Sequence, residues 1–462
     1  MNRDLIQQLH NIVGDAGLLC DDAVTSRSAG IWHQENLKAT VLVRPKTTSE
    51  VSQILALCNA HKQPVVPQGG LTGLVHGADT NDKDLVLSLE RLSGVESIDP
   101  IGRTLTVLAG TALEDIQKAA DDAGLFFPLD LGARGSCQIG GNVATNAGGN
   151  RVIRYGMARA LILGSETVLA DGTVISSMNT MLKNNAGYDL KHLFIGSEGT
   201  LGIMTRFVLR LFPKPQSANT AMVAFEKFDD VPRLLNHIDE ALGGQLSSYE
   251  VMWKDFYALV ATAPHCKTPP LSTEHPFYAL IEAQGTDQQA DLAHFEKVLS
   301  EALENGVIID AVIAQSQRER DNLWALRDSV DECNRFRPIY YFDVSLSIRH
   351  MESYIENVRR EISHNFPDGQ CFVFGHLGDG NLHLAVSPGH NDNNSHTKIE
   401  HIIYSPLASI GGSVSAEHGV GLEKKPYLHL SRSAEEIGLM KTLKQALDPN
   451  NILNPGKVFD LA

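Results

Sequence analysis

The residues best suited to chemistry lie in two short runs of the second half. Gly375-His376-Leu377-Gly378-Asp379-Gly380-Asn381-Leu382-His383-Leu384 places two imidazoles around an Asp-Gly turn signal. A two-residue type I′ turn there would pair Gly378 with Asn381, Leu377 with Leu382 and His376 with His383. Directly opposite residues of an antiparallel pair share a face, with Cβ atoms about 4.5–5.5 Å apart. Two imidazoles so placed can share a metal ion, given a third ligand. Glu417, in Ser415-Ala416-Glu417-His418-Gly419-Val420-Gly421, is the candidate. Two His and one carboxylate leave coordination positions open, as a catalytic zinc-like or manganese-like site requires. His418 is then available as a general base. The same residues also read as a cross-strand His pair on a polar face with Glu417 and His418 solvated, because His has many roles besides metal binding.

Glycine-dense segments in the first half offer different chemistry. Pro67-Gln68-Gly69-Gly70-Leu71-Thr72-Gly73 has few side chains to block close backbone approach, and its successive N–H groups can form an anion nest for a diphosphate. Ile139-Gly140-Gly141-Asn142-Val143-Ala144-Thr145-Asn146-Ala147-Gly148-Gly149 adds amides and a hydroxyl suited to a cofactor's hydroxyls and ring edges. Neither fits G-x-G-x-x-G or the P-loop, which argues against a Rossmann nucleotide site and an ATPase. One such segment alone would more simply serve turns. Two together, with Gly196-Ser197-Glu198-Gly199-Thr200-Leu201-Gly202, point to a ligand.

These residues need a scaffold, and the flanking pattern supplies one. Apolar Val41–Val43 ends at Arg44-Pro45. Thr47-x-x-Glu50 predicts a capping box ahead of Val51, Ile54, Leu55 and Cys58 at helical spacing. Pro64–Val66 predicts a buried strand running into Gln68, and further strands are predicted at Leu85–Leu89 and Leu105–Leu108. Thr111-x-x-Glu114 predicts a second capped helix to about Ala123, and Asp171-Gly172 a hairpin. Pro213-Lys214-Pro215 is the linker candidate. Beyond it, strands are predicted near Ala221–Phe225, Tyr278–Glu282, Val307–Val312 and Tyr341–Ser347. A helix there aligns Met351, Tyr354, Ile355, Val358 and Ile362 on one stripe. This reads as an α+β lobe with an antiparallel sheet, followed by a helix near Ala434–Leu447.

The bulk numbers bound the function. At 462 residues the chain exceeds the roughly 250–300 at which one core stops growing, so two lobes are expected. The 39 basic and 55 acidic residues give −16 with no Lys/Arg run, which argues against nucleic acid or anionic membrane as partner. No stretch approaches the ~20 apolar residues of a membrane span. Met1–His10 has neither signal nor transit character. The six cysteines are scattered without C-x-x-C, which argues against disulfides, iron–sulfur clusters and thiolate zinc; a cytoplasmic location is expected.

Three blocks carry a resemblance: PQGGLTG from Pro67, PLDLGARGSCQIGGNVATNAGGNRVIRYG from Pro128 to Gly156, and GYDLKHLFIGSEGTLGI from Gly187. They resemble the vanillyl-alcohol-oxidase (PCMH-type) flavoproteins, and within them the D-2-hydroxyacid dehydrogenases that include D-2-hydroxyglutarate and D-lactate enzymes. The resemblance implies an α+β, two-lobed fold. A PCMH-type FAD-binding domain would span residues 1–215, an FAD-linked-oxidase-type substrate and metal domain 216–420, and a segment packing back toward the FAD lobe 421–462. It implies FAD contacts from Pro67, Gly69, Gly70, Thr72, Gly73, Pro128 and Ser136, then Gly140, Gly141, Asn142, Thr145, Asn146, Gly149, Tyr155 and Gly156. Glu198, Gly199, Gly202, Ile203 and Asn454 complete that set. Covalent members often attach FAD through a His in the first glycine loop; Leu71 stands about there, so non-covalent FAD is expected, with His76 the nearby exception.

The resemblance also implies His376, His383 and Glu417 as ligands of zinc or manganese, His418 as base, and Arg327 and Asn381 as substrate contacts. It implies oxidation of a D-2-hydroxy acid, most like D-2-hydroxyglutarate. Tyr341 stands where those enzymes usually carry Lys, and Asp331 where some carry Thr, which keeps D-lactate or another monocarboxylic acid open; Arg335 or Arg337 could compensate. A homodimer is a family-level expectation; the electron acceptor stays open among an electron-transfer flavoprotein, a quinone and oxygen. A non-catalytic electron-transfer flavoprotein is the reading from another class.

Overall fold

Short, largely apolar runs make the first sheet. Leu18–Cys20 (β1), Val41–Val43 (β2), Val65–Gln68 (β3) and Leu85–Ser88 (β4) form a sheet in the order β1-β2-β4-β3, with β2, β4 and β3 parallel and β1 antiparallel to β2. The helix Thr48–His61 crosses from β2 to β3 and buries Val51, Ile54, Leu55 and Cys58, as their spacing predicts. Thr47 caps it by accepting the Glu50 N–H (3.1 Å). The Glu50 carboxylate takes the Lys46 N–H (2.6 Å) instead of closing the expected box on Thr47.

Val95–Asp99 (β5), Thr104–Leu108 (β6), Leu125–Phe126 (β7), Ile162–Val168 (β8), Val174–Ser177 (β9), Ile203–Arg210 (β10) and Phe212–Pro213 (β11) follow. Five make an antiparallel sheet, β5-β6-β10-β8-β9, and β7 pairs with β11. The Asp171-Gly172 hairpin joins β8 to β9, with the Leu169 N–H on Thr173 O (2.9 Å) and Gly172 at φ +88. The second expected capping box does not form. The Thr111 hydroxyl turns back to Leu108 O (2.7 Å), and the helix Leu113–Asp122 starts from Ala112 with no side-chain cap.

The computed structural model describes residues 2–31, 35–264, 266, 268–390, 392 and 394–461. Its chain divides into two units: Met1–Gly149, Gly156–Lys214 and Glu417–Ala462 make the first, Asn150–Tyr155 and Pro215–Ala416 the second. One boundary falls inside Pro213-Lys214-Pro215. The last lies at Ala416/Glu417, and the six residues Asn150–Tyr155, which follow the second glycine segment, belong to the second unit.

The second unit is built on Ser217–Phe225 (β12), Leu246–Trp253 (β13), Phe277–Gly285 (β14), Asp310–Ile313 (β15), Tyr340–Ser345 (β16), Gln370–His376 (β17) and Asn381–Ser387 (β18). All pairs are antiparallel, in the order β15-β12-β14-β13-β17-β18-β16. The strand expected at Val307–Val312 begins only at Asp310, because Gly306 (φ +68) is still turning the chain out of the preceding helix. Central β13 was not expected from the pattern: its Ser247, Ser248 and Glu250 are buried polar residues that hide the period-2 signal. Against one sheet face, Met222, Met252, Leu280, Phe374 and Ala385 pack with Phe256, Val260, Leu323 and Leu326 of the helices Lys254–Ala261 and Gln317–Asp328. Met351, Tyr354, Ile355, Val358 and Ile362 are the buried residues of the helix Met351–Asn365, as expected. Among the described residues no helix is long and apolar enough to cross a membrane.

Candidate functional site

In the first unit the glycine segments converge. β3 delivers the chain to a loop in which the N–H groups of Gly69, Gly70, Leu71, Thr72 and Gly73 meet no acceptor among the described residues. A Cβ on Gly69 would lie 3.7 Å from Gly141 Cα, and one on Gly70 would overlap Ser136 O, so these stretches pack backbone against backbone. Ile139–Ala144 is a helix rather than a loop. Its Gly140 backs onto Ala109, where a Cβ would come within 2.9 Å, whereas nothing lies within 4 Å of the Gly141 position. Gly199 fits over Pro67, where an added Cβ would come within 2.6 Å of Cγ. The Glu198 N–H donates to Ala144 O (2.9 Å), and Asn454 Nδ2 donates to Glu198 O (2.9 Å) and Gly77 O (3.3 Å).

Gln68 Oε1, Gln138 Oε1 and Asn454 Oδ1 are buried with no hydrogen-bond partner among the described residues. Five successive donors on a glycine-rich loop suit a diphosphate, and the orphaned amide oxygens suit the hydroxyls and ring N–H groups of a cofactor such as FAD. Other expected contacts serve the frame. Asn142 turns its amide onto Cys137 Sγ (3.4 Å), the Thr145 hydroxyl onto Gly141 O (3.2 Å), and Asn146 Oδ1 accepts from Arg159 N–H (2.9 Å). The Ser136 hydroxyl bonds to Ala133 O (3.5 Å), and an added Cβ on Gly202 would come within 2.7 Å of Thr167 Cγ2, at the start of β10 beside buried Ile203. Tyr155 falls in the second unit, its hydroxyl 3.4 Å from Gln284 Oε1. His76 Nδ1 contacts Asp79 Oδ2 (2.9 Å), and that hydrogen bond raises its pKa above the ordinary imidazole value against partial burial.

The run Glu417–Gly421 is tied down at both ends within this unit. Glu417 Oε1 accepts the Gly149 N–H (2.6 Å), while the Glu198 carboxylate accepts the N–H groups of Val420 (2.7 Å) and Gly421 (2.9 Å). His418 lies between these anchors. Burial pushes Glu198 above the usual carboxylate range, although the two N–H donors and Lys424 pull the other way.

In the second unit, register assembles a polar row on one sheet face. Glu250 pairs with His376, and Phe374 pairs with His383, which pairs in turn with Asp343. The expected pairing of His376 opposite His383 is therefore corrected. Leu377–Asp379 makes a 3₁₀ turn and Gly380 a left-handed residue (φ +82), so the hairpin loop has four residues rather than two. The register moves by an even number, which keeps both imidazoles on one face, with ring centroids 5.3 Å apart. His376 Nδ1 meets Glu250 Oε1 at 2.7 Å, and His383 Nδ1 lies 4.0 Å from Asp343 Oδ1. The His376 ring is thus oriented by a carboxylate at Nδ1, an arrangement also found behind metal-bound His, whereas His383 is only near its carboxylate.

Arg327, on the helix Gln317–Asp328, is buried, and both its Nε (2.9 Å) and Nη2 (2.8 Å) bind Glu250 Oε2. Its Cζ sits 4.9 Å from the Phe374 ring centroid. Burial pushes Glu250 up, but the facing His376 and Arg327 outweigh it and hold the carboxyl below its ordinary range. Asn381 Nδ2 donates to Asp343 Oδ1 (2.7 Å) and Val344 O (3.1 Å), while its Oδ1 is buried with no partner among the described residues. Asp343 Oδ2 also accepts the N–H of Ala416 (3.0 Å), the residue before Glu417. Tyr341 faces the apolar part of the same unit with its hydroxyl buried and without a hydrogen-bond partner among the described residues, and burial drives its pKa well up. Sequence reasoning missed Glu250. The available signal was a lone acid inside the apolar-flanked run Leu246–Trp253.

Comparison with known proteins bears on both units. The fold matches p-cresol methylhydroxylase with substrate bound, at a TM-score of 0.79 and 16% identity over 99% of this chain and 97% of that one. Residues 39–177 match the FAD binding domain family, and residues 214–458 match the C-terminal domain of FAD linked oxidases. That defines a PCMH-type, FAD-linked oxidoreductase. Named D-2-hydroxyglutarate dehydrogenases from Xanthomonas citri pv. viticola (40% identical; 90% of this chain, 88% of that one) and Arabidopsis thaliana (37%; 98% and 81%) are similar throughout. So is a Schizosaccharomyces pombe protein provisionally named a D-lactate dehydrogenase (37%; 98% and 89%). The chain belongs to the D-2-hydroxyacid dehydrogenase family of FAD-linked oxidases, and its activity is FAD-dependent oxidation of a 2-hydroxy acid.

Proposed function

We propose that the substrate is a D-2-hydroxy acid, D-2-hydroxyglutarate foremost, oxidised to the 2-oxo acid with non-covalent FAD and a divalent metal. The observation that carries this is the buried guanidinium of Arg327, fixed by Glu250 on the sheet face that bears the two imidazoles. An oriented fork grips a carboxylate at two points, and a 2-hydroxy carboxylate has its reacting carbon one bond away. FAD, when bound, supplies the acceptor for the two electrons and hydrogen lost from C2. Zinc or manganese held by His376, His383 and Glu417 would polarise the substrate hydroxyl as a Lewis acid. His418 takes the hydroxyl proton, a role suited to an imidazole with an unperturbed pKa near ~6.5. Leu71 in the first glycine loop, and the His76 ring held by Asp79, support non-covalent attachment.

Tyr341 favours a second reading. A buried phenol among apolar side chains offers no cation to a second carboxylate, which suits D-lactate or another monocarboxylic acid. Anaerobic flavin reduction across paired D- and L-hydroxy acids, with metal content measured on the same sample, decides between them. D-2-hydroxyglutarate should reduce the flavin fastest, and faster D-lactate reduction would transfer the assignment. His418→Ala should keep the flavin spectrum and slow reduction by about 10²–10⁴-fold; unchanged kinetics would remove His418 from the reaction.

A further inference from the structure

We infer that Glu250 is a shared positioning residue, coupling the substrate-carboxylate anchor Arg327 to the metal ligand His376; this rests on the function proposed above. Its two carboxylate oxygens are divided between the two partners. Oε1 meets His376 Nδ1 at 2.7 Å, and Oε2 takes Nε and Nη2 of Arg327 at 2.9 and 2.8 Å. The first contact selects the tautomer that turns Nε2 to a metal. The second, with the Phe374 ring 4.9 Å from Cζ, fixes the guanidinium plane and leaves the Nη1 edge for a ligand.

A purely structural tether does not account for this carboxylate. The helix Gln317–Asp328 is already held three residues earlier, where Trp324 Nε1 donates to Glu282 Oε2 (2.8 Å), and by buried Leu323 and Leu326. Glu250 is 1% exposed in a central strand, where a buried ion pair is commonly no more stable than packed apolar residues. Its geometry instead makes each partner sensitive to the other. Arg327 offsets the negative charge of the carboxylate that backs His376, so loss of the cation leaves that charge facing the imidazole alone.

Zinc titration calorimetry on the metal-stripped full-length flavoprotein, with KM for D-2-hydroxyglutarate after reloading, tests this in wild type, Glu250→Gln and Arg327→Gln. Glu250→Gln should weaken zinc binding by about 10–100-fold and raise KM. Arg327→Gln alters no proposed ligand, yet should tighten zinc by about threefold or more while raising KM. Wild-type zinc affinity in both variants would overturn the coupling while leaving the metal site standing. Should Glu250→Gln fail to fold, Arg327→Gln alone decides: a tightened affinity supports the coupling and an unchanged or weakened one overturns it. A wild type that takes up no zinc, and regains no activity with it or manganese, would sink the metal reading itself.

Discussion

The first unit makes its ligand site from main chain, the second from side chains. Around Gly69–Gly73 and Gly140–Gly141 the working parts are N–H groups and missing Cβ atoms. On the sheet face of the second unit they are Glu250, Arg327, His376, His383 and Asp343, each held by another charged group. A backbone site binds a cofactor common to a large class. A side-chain site can be retuned residue by residue, and the substrate site proposed above is of that kind. Substitutions in the first unit should therefore act through space, and those in the second through charge.

The largest expected effect tests packing. Gly70→Ala would drive a Cβ into Ser136 O and to 2.9 Å from Cys137 Cα, costing about 3 kcal/mol. Denaturant unfolding and flavin content should both fall, and a fully loaded, wild-type-stable variant would break the account of the cradle. Arg327→Lys keeps charge but loses the fork, so KM for the hydroxy acid should rise by about 10–30-fold with FAD content unchanged. Loss of flavin in that variant would erase the division between the units.

Gly141→Ala sharpens the comparison from the other side. Nothing lies within 4 Å of its Cβ position, so stability should hold or improve, while FAD affinity drops by about three- to tenfold. Unchanged affinity would mean the open face of Gly141 does not meet the cofactor. His76→Asn gives the smallest effect, with Asn chosen because it tolerates the φ of +60. The folded His76 pKa is raised by Asp79, so its contribution is complete below the ordinary 6.5 and is lost as pH rises through the raised value. The wild type should out-melt the variant at pH 5.5 by no more than about 3 °C, with the gap closing by pH 8.5. A gap independent of pH would remove the ion pair from the explanation.

The legibility of the two sites differs for a physical reason. Glycine density is local in sequence, and helices such as Thr48–His61 and Met351–Asn365 announce their buried faces through spacing. The cofactor class and the α+β layout were readable on that basis; His376, His383 and Glu417 stood out as candidates by type and spacing, and Arg327 through the family resemblance alone. A misjudged turn was survivable, because an even change of register keeps both imidazoles on one face.

Two capping boxes drawn from the same T-x-x-E pattern fared differently: Thr47 caps its helix, while Thr111 is used in the turn before it. Side-chain hydroxyls choose among nearby carbonyls and amides that only the folded chain positions. Glu250 shows the limit most plainly. Its sequence neighbours mark it as an acid in an apolar run, and nothing local ties it to residues 77 and 126 positions away. The sequence by itself determined the ligand-ready backbone and the reactive side chains. Which carboxylate orients which cation was decided by strand order and register, because those bring together groups that the chain keeps far apart.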